Sequence, residues 1–322
     1  MVSRLVILPA IFMVVASSLA SAQPYPDRPL KLIIPYPAGT ATDIFGRQLS
    51  GKLGELLGQP VVVDNRGGAG GIIGTEATAK SPPDGYTIML ATSQTHAVNK
   101  SLYKSLPYDP IENFAPIARL GTQAMILVTN ATVPVKSVQE FVSYAKARPG
   151  QLNFASTGSG TSAHLCGVLL NREAGLDITH VPYKGAGQAL ADLVGGQITM
   201  MFYPYLAIQS QIQAGKVTVL GGTGNQRTAY LPNTPTMIES GYPNFVLTVW
   251  FASYAPAGTP RPIIDRLADA FAKTMNDTDV KKVLLASGTD NATLGPDELA
   301  RFTRTELERY RKLVEASGAK VD

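Results

Sequence analysis

The stretch Lys31–Asp43, KLIIPYPAGTATD, decides how this chain is read. Leu32, Ile33 and Ile34 form an apolar run of the kind found in buried strands. Pro35, Pro37 and Gly39 break that run. Thr40-Ala41-Thr42-Asp43 then supply hydroxyls and a carboxylate where Ile44, Phe45, Gln48, Leu49 and Leu53 take on helical spacing. A strand, a tight turn and a helix N-terminus in succession collect backbone N–H groups that the helix cannot satisfy, and such a junction accepts anions. The reading is capture of a small anion rather than assembly of a membrane or a fibre.

Upstream, residues 1–22 read as a signal peptide. Arg4 gives a short positive region, Leu5–Val15 is apolar but too short to span a bilayer, and Ala20-Ser21-Ala22 is a cleavage site, so the mature chain is expected to begin at Gln23. No Cys lies near that site, so no lipid anchor is expected there. Arg4 is the one charged residue of the leader. The 28 basic and 24 acidic residues of the chain therefore leave 27 against 24 in the mature protein, a net +3. The positive charge forms no run, which argues against nucleic acid and suits anionic ligands. The single cysteine, Cys166, excludes an internal disulfide. An exported, disulfide-free protein points to a bacterial periplasm, with stability supplied by a core that the 45% apolar content can build.

Along the chain, apolar runs alternate with helical patterns. Strands are expected at 32–36, 61–65, 86–91, 125–129, 152–155, 178–183, 198–202 and 217–221, and helices near 42–57, 70–80, 137–148, 162–174, 186–195 and 205–214. Alternation of this kind implies parallel sheets covered by helices. Phe114–Thr129 and Phe245–Pro256 are long, extended and apolar, and read as paired crossings between two domains. Domain 1 is then discontinuous, 23–121 plus 249–322, and domain 2 is 122–248. Pro296–Ala316 reads as a long amphipathic helix with a solvated face of Arg301, Arg304, Glu306, Glu308, Arg311 and Lys312.

A second strand–turn–helix junction runs from Asn153 to His164, with hydroxyls and two glycines packed into Ser156-Thr157-Gly158-Ser159-Gly160-Thr161-Ser162. Glycine lets the backbone approach a ligand, and hydroxyls and N–H groups donate to an oxyanion. Thr92-Ser93-Gln94-Thr95-His96 follows the third strand, at the sheet edge that also carries Tyr36–Thr42, and Pro182-Tyr183-Lys184-Gly185 follows another strand. In open parallel sheets ligands bind outside the carboxyl ends of strands, so these loops are expected to converge on one cleft.

Other motifs are weaker. Gly158–Ala163 fits the G-x-G-x-x-A dinucleotide pattern, but it is not in the first βαβ unit and an exported protein meets little dinucleotide. The Gly67–Gly71 loop lacks the Lys-Ser/Thr of a P-loop, and Ser101–Lys104 matches S-x-x-K without its companion elements. His96, His164 and His180 are too few and too scattered for a metal site, so neither metal nor cofactor is expected.

The loops, in this order, resemble the Bug receptors of tripartite tricarboxylate transporters. The marks are Tyr25–Pro29, the Pro35…Gly39…Asp43 loop, Val63–Gly71, Pro83–Tyr86, Thr95-His96, Leu106–Asp109, Gly158–Leu165, Val181–Gly185, Trp250-Phe251 and Ala255–Pro260. The resemblance implies an α/β, two-domain periplasmic-binding-protein fold of type II-like form, with mixed sheets flanked by helices and the ligand cleft between domains. It implies that the loops matching 36–43 and 156–162 act as pincers on one ligand carboxylate. The expected contacts are Tyr36, Ala38, Gly39, Thr40, Thr42, Asp43, Ser93, Thr95, His96, Ser156, Thr157, Gly158, Ser159, Gly160, Thr161, Ser162, His164, Tyr183, Lys184, Thr199 and Tyr203.

The chain departs from that family at Gly39-Thr40, where the family has Gly-Gly, and at Thr199 and Tyr203, where family members often carry acidic groups. Loss of negative charge at the distal end of the cleft, with Tyr205 and Trp250 near it, disfavours an ammonium and favours a dicarboxylate or an aromatic carboxylate. The expected protein is a monomeric receptor that catalyses no reaction. Its partners are membrane transporter subunits or a periplasmic sensor domain. The rival is a secreted serine-dependent hydrolase or acyltransferase using a serine of Ser156–Ser162, which requires a base and an acid beside it.

Overall fold

The computed structural model describes residues 25–321; the expected signal peptide and cleavage site lie outside them. The elements in chain order are β1 (Leu30–Ile34), α1 (Ala41–Leu57), β2 (Val61–Asn65), α2 (Ile72–Ala79), β3 (Thr87–Thr92), a π-helical turn (Gln94–Val98), α3 (Asn99–Leu102), β4 (Phe114–Asn130), α4 (Val138–Lys146) and β5 (Leu152–Ser156). There follow α5 (Ser162–Ala174), β6 (Ile178–Pro182), α6 (Ala186–Val194), β7 (Met200–Pro204), α7 (Tyr205–Gln213), β8 (Val217–Gly222), β9 (Thr248–Pro256), α8 (Arg261–Asn276), α9 (Thr278–Ala286), β10 (Asp290–Leu294) and α10 (Pro296–Ser317).

The two helices that flank the loops at 36–43 and 156–162 start and stop on local signals. Thr40 and Thr161 cap α1 and α5, each side chain accepting from a backbone N–H three residues on, and Gly58 and Gly175 end them in the left-handed conformation. At Gly46 in α1 an added Cβ would lie 2.4 Å from Ile34 Cδ1, so the helix packs close to β1 without displacing the Ile34 side chain.

The strands form one mixed sheet in the order β2-β1-β3-β9-β4-β7-β5-β6, with β8 and β10 both pairing with β4. The outer groups are parallel: β1 with β2 and β3, and β5 with β6 and β7. The alternation of strands and helices implied parallel pairing, but the middle is antiparallel, which gives the mixed sheet that the family resemblance implied. There β9 runs antiparallel to both β3 and β4, and β4 antiparallel to β7 and β8. The reason is the long β4: residues 114–124 pair with β9, and residues 125–130 continue into the ladders of β7 and β8. One strand thus belongs to both halves of the sheet, and β9 returns beside it.

The apolar core follows this division. One buried cluster packs Ile34, Phe45, Leu49, Phe251 and Phe271 between β1, α1, β9 and α8. Another packs Ile126, Met201, Leu193 and Ile208 between β4, β7, α6 and α7. A third, with Leu127, Phe141, Phe154, Trp250, Tyr254 and Tyr310, runs between them. Two features of the C-terminal part depart from expectation. Residues 257–295, where no element is expected, fold as α8, α9 and β10. Glu306, expected on the solvated face of α10, is 6% exposed; it accepts from the Trp250 indole N–H and pairs with Arg309.

Candidate functional site

The carboxyl ends of β1, β3, β5 and β7 open on one cavity of about 480 Å3. Tyr36, Thr42, Gly70, Thr92, Ser93, Gln94, Leu102 and Tyr103 line it from the first half of the sheet. Thr157, Ser159, Thr161, Ser162, Ala163, Tyr203 and Pro204 face them from the second, with Met125 of β4, Val249 of β9 and Val321 between. No Asp, Glu, Lys, Arg or His is among these lining residues.

Two helix N-termini meet here. Thr42 is the second residue of α1, and Ser162 and Ala163 are the first two of α5, so their backbone N–H groups have no acceptor within the helix. Around them the hydroxyls of Thr42, Thr157, Ser159, Ser162, Tyr103 and Tyr203 make no side-chain hydrogen bond among the described residues. Tyr36 and Thr92 are joined hydroxyl to hydroxyl at 2.7 Å, and burial pushes the Tyr36 phenol up to about 12, so it stays a neutral donor. A cavity without side-chain charge, with donors concentrated at two positive helix ends, can solvate an oxyanion without a basic side chain.

Of the expected contacts, Tyr36, Thr42, Ser93, Thr157, Ser159, Thr161, Ser162 and Tyr203 line the cavity. The others do not, each for a definable reason. Ala38 and Gly39 lie exposed on the turn before α1. The Thr40 hydroxyl donates to the Pro37 carbonyl and accepts from Asp43 N–H, so it is spent as a cap. Asp43 is 2% exposed and turned inward: its carboxylate accepts from Gly39 N–H at 2.8 Å, Arg47 Nε at 2.9 Å and Asn65 Nδ2 at 2.9 Å. Burial alone would raise its pKa, but those donors hold it below the usual carboxylate range.

Thr95 is fully buried and bonds back to both backbone groups of Thr92. His96 is enclosed by Tyr254, Phe114 and Tyr108, stacking on Tyr254 with centroids 4.1 Å apart, and burial pushes its pKa down to about 3. Ser156, Gly158, Gly160 and His164 hold the second loop rather than line the cavity. Gly160 N–H donates to His164 Nδ1 at 3.0 Å, and Gly158 N–H donates to Ser156 Oγ at 3.1 Å. Gly160 has φ +77, and an added Cβ would lie 2.6 Å from Leu102, so the loop conformation requires glycine.

Five further residues expected at or near the cleft do not line this cavity, for reasons of strand direction and packing. Thr199 precedes the amino end of β7 and donates to Asn153 Oδ1, whereas Tyr203 near the carboxyl end of β7 reaches the cavity. The Tyr183 hydroxyl donates to Asp192, and Lys184 is exposed. Tyr205 stacks on Tyr230, and Trp250 is buried against Glu306. Sequence reasoning missed Leu102, Tyr103, Met125, Pro204, Val249 and Val321 as lining residues, since only folding brings a crossing strand and a chain terminus to a loop cluster. Thr92 and Gln94 lay within a motif it did single out.

The hydrolase reading has no support here. Ser156 Oγ is 2.7 Å from His180 Nε2, but Ser156 is 0% exposed and its hydroxyl donates to Gly158 O. No carboxylate hydrogen-bonds to His180 among the described residues.

Residues 45–319 match the family described as the tripartite tricarboxylate transporter family receptor. The chain belongs to that receptor family. It is 38% identical to protein BugT of Bordetella pertussis over 322 residues, covering 99% of both chains. Among solved structures, R. palustris Rpa4515 with adipate superposes with a TM-score of 0.80 at 32% identity, covering 92% of this chain and all of that one. MatC of Rhodopseudomonas palustris with bound malate gives 0.73 at 31% identity, covering 90% of this chain and 100% of its own. The fold is that of these family receptors, a mixed α/β periplasmic binding protein.

Proposed function

We propose that this receptor binds a small dicarboxylate in the cavity between the α1 and α5 N-termini and presents it to the membrane subunits of a tripartite transporter. The observation that carries the reading is the lining itself: unpartnered hydroxyls and free helix N–H groups on two opposed loops, with no charged side chain. Charge-assisted hydrogen bonds from Thr42, Ser159, Ser162 and Tyr36 hold one carboxylate, and Tyr203 and Tyr103 face the remainder of the ligand. The ligands of the two structural relatives, adipate and malate, are both dicarboxylates. An aromatic carboxylate is the second reading, favoured by three tyrosine rings on the wall.

In this reading residues 23–121 with 249–322 form one lobe and 122–248 the other. The lobes close on the ligand through β4 and β9, the protein acts as a monomer in the periplasm, and it catalyses nothing. No helix among the described residues is long and apolar enough to cross a membrane. Delivery to a periplasmic sensor domain is compatible with the same site.

Titration calorimetry of the purified protein with succinate, adipate, malate, benzoate and glutamate tests the ligand class. The expected outcome is tight binding within the dicarboxylates and weak or absent binding of glutamate, whose ammonium would find no acid in the cavity. Tight glutamate binding with none for the other acids would overturn it. Mass spectrometry of a periplasmic extract tests export through the expected N-terminus at Gln23.

A further inference from the structure

A second cavity, of about 380 Å3, lies on the reverse side of the crossing strands. On β9, Val249 lines the front cavity and Thr248 the rear one; on β4 the corresponding residues are Met125 and Thr122. Alternate residues of a strand point to opposite faces, so the two cavities sit back to back across the same strands. The rear cavity is charged where the front one is not.

Two opposite charges stand there without close partners. Arg119 reaches in with its guanidinium 4.6 Å over the Phe302 ring, and its Nε donates to the Ala292 carbonyl at 2.6 Å. Its two terminal amino groups have no hydrogen-bond acceptor and no ion pair among the described residues. The Asp290 carboxylate likewise has no hydrogen bond or ion pair there. Asp290 of β10 stands opposite Thr122, three positions along β4 from Arg119, an offset of about 10 Å along the strand. Burial pushes the Asp290 carboxyl up and draws the Arg119 guanidinium down, against the pull of Glu306 and Glu298. The other charged pair of the wall, Glu306 with Arg309, is already joined at 2.7 Å. The side chains of Asn225 and Gln226, free of hydrogen bonds among the described residues, complete the lining.

We propose that the rear cavity is a second ligand site, which takes a small bipolar molecule whose anionic group meets Arg119 and whose ammonium meets Asp290. An ω-amino carboxylic acid is the ligand class: it supplies both missing partners at once, and a purely anionic or purely cationic molecule leaves one of them unpaired. The front cavity offers an ammonium no acidic partner, so the two sites differ in the chemistry they accept.

The test uses the one tryptophan. The Trp250 indole N–H donates to Glu306, a residue of the rear wall, and gives a single side-chain resonance. The 15N-labelled protein is titrated with β-alanine, 4-aminobutyrate and 6-aminohexanoate, with butyrate and butylammonium as separate arms. The expected result is saturable shifts of the Trp250 indole and the Thr122 and Asn225 amides with at least one amino acid. Affinity should fall about tenfold or more in Arg119→Gln and in Asp290→Asn. Asn225→Ala, on an exposed loop, gives a third variant that leaves the strands untouched and should weaken binding more modestly. Thr42→Ala/Ser162→Ala should leave these shifts in place, which separates this site from the front one. The proposal is overturned by no saturable shift into the millimolar range with any of the three, by butyrate or butylammonium binding as tightly, or by affinities unchanged in folded Arg119→Gln and Asp290→Asn.

Discussion

The imidazoles of His164 and His180 stack with centroids 3.9 Å apart, and each is tied to the loop between β5 and α5. Gly160 N–H donates to His164 Nδ1, and Ser156 Oγ lies 2.7 Å from His180 Nε2. The pair works only while His164 is neutral, because protonated Nδ1 cannot accept from Gly160. Burial, followed by the neighbouring His180, pushes the His164 pKa down to about 4; burial also lowers that of His180.

Acid should therefore loosen the receptor. A histidine held below its unfolded value of about 6.5 binds its proton more readily in the unfolded chain, so stability is complete above pH 6.5 and lost as pH falls toward 4. His96, pushed to about 3, extends the same loss further down. Each histidine contributes a slope of up to about 1.4 kcal/mol per pH unit in its window. Asp43, held below its ordinary value, adds a loss that begins only lower still. Denaturant melts from pH 7.5 to 4.5 should show stability falling toward acid, and His164→Gln should flatten that fall; a flat wild-type profile contradicts it.

Neighbouring threonines at the α1 N-terminus should separate stability from affinity. Thr40→Ala removes a cap and should cost about 1 kcal/mol of stability, with little change in ligand affinity at saturation. Thr42→Ala or Ser162→Ala removes a donor to a carboxylate and should cost about 1.5–3 kcal/mol of binding with little change in stability. Melting curves and calorimetry on the three variants check this, and equal effects on both quantities would be inconsistent with it.

Asp43 should behave as an anchor for the first loop. Asp43→Ala leaves Gly39 N–H without its acceptor and takes from Asn65 Nδ2 one of its two, the other being the Tyr36 carbonyl, and a loss of about 1–3 kcal/mol of stability is expected. Because the carboxylate does not reach the cavity, binding should weaken through loop disorder. Raised hydrogen exchange across residues 36–42 is the signature; unchanged exchange there would refute the anchor.

Closure should proceed about β4 and β9, the two strands that pass between the halves of the sheet. Small-angle scattering with a binding dicarboxylate should give a smaller radius of gyration than without it. An unchanged radius would mean a rigid pocket.

Local signals carried much of this protein. Pro35, Pro37 and Gly39 end a strand wherever they stand, and Thr40 and Thr161 can cap only the helix that follows them. Both strand–turn–helix junctions, their order and the two long apolar strands were therefore readable from nearest neighbours along the chain. What each polar group is used for was not. Thr40 and Thr42 are equivalent in composition, yet one hydroxyl closes a cap and the other opens on the cavity, because helical phase turns them to different sides. Thr199 precedes the amino end of β7 and Tyr203 lies near its carboxyl end, and strand direction decides which reaches the cavity. Asp43, Glu306, His96 and His164 have ordinary surface chemistry, and the tertiary fold, not their near neighbours alone, takes them inside: Asn65 reaches Asp43, Trp250 reaches Glu306, Tyr254 covers His96 and His180 covers His164. The antiparallel middle of the sheet, and the pairing of β10 with β4, depend on one long strand serving two halves. That is a matter of long-range register, which no window of sequence contains.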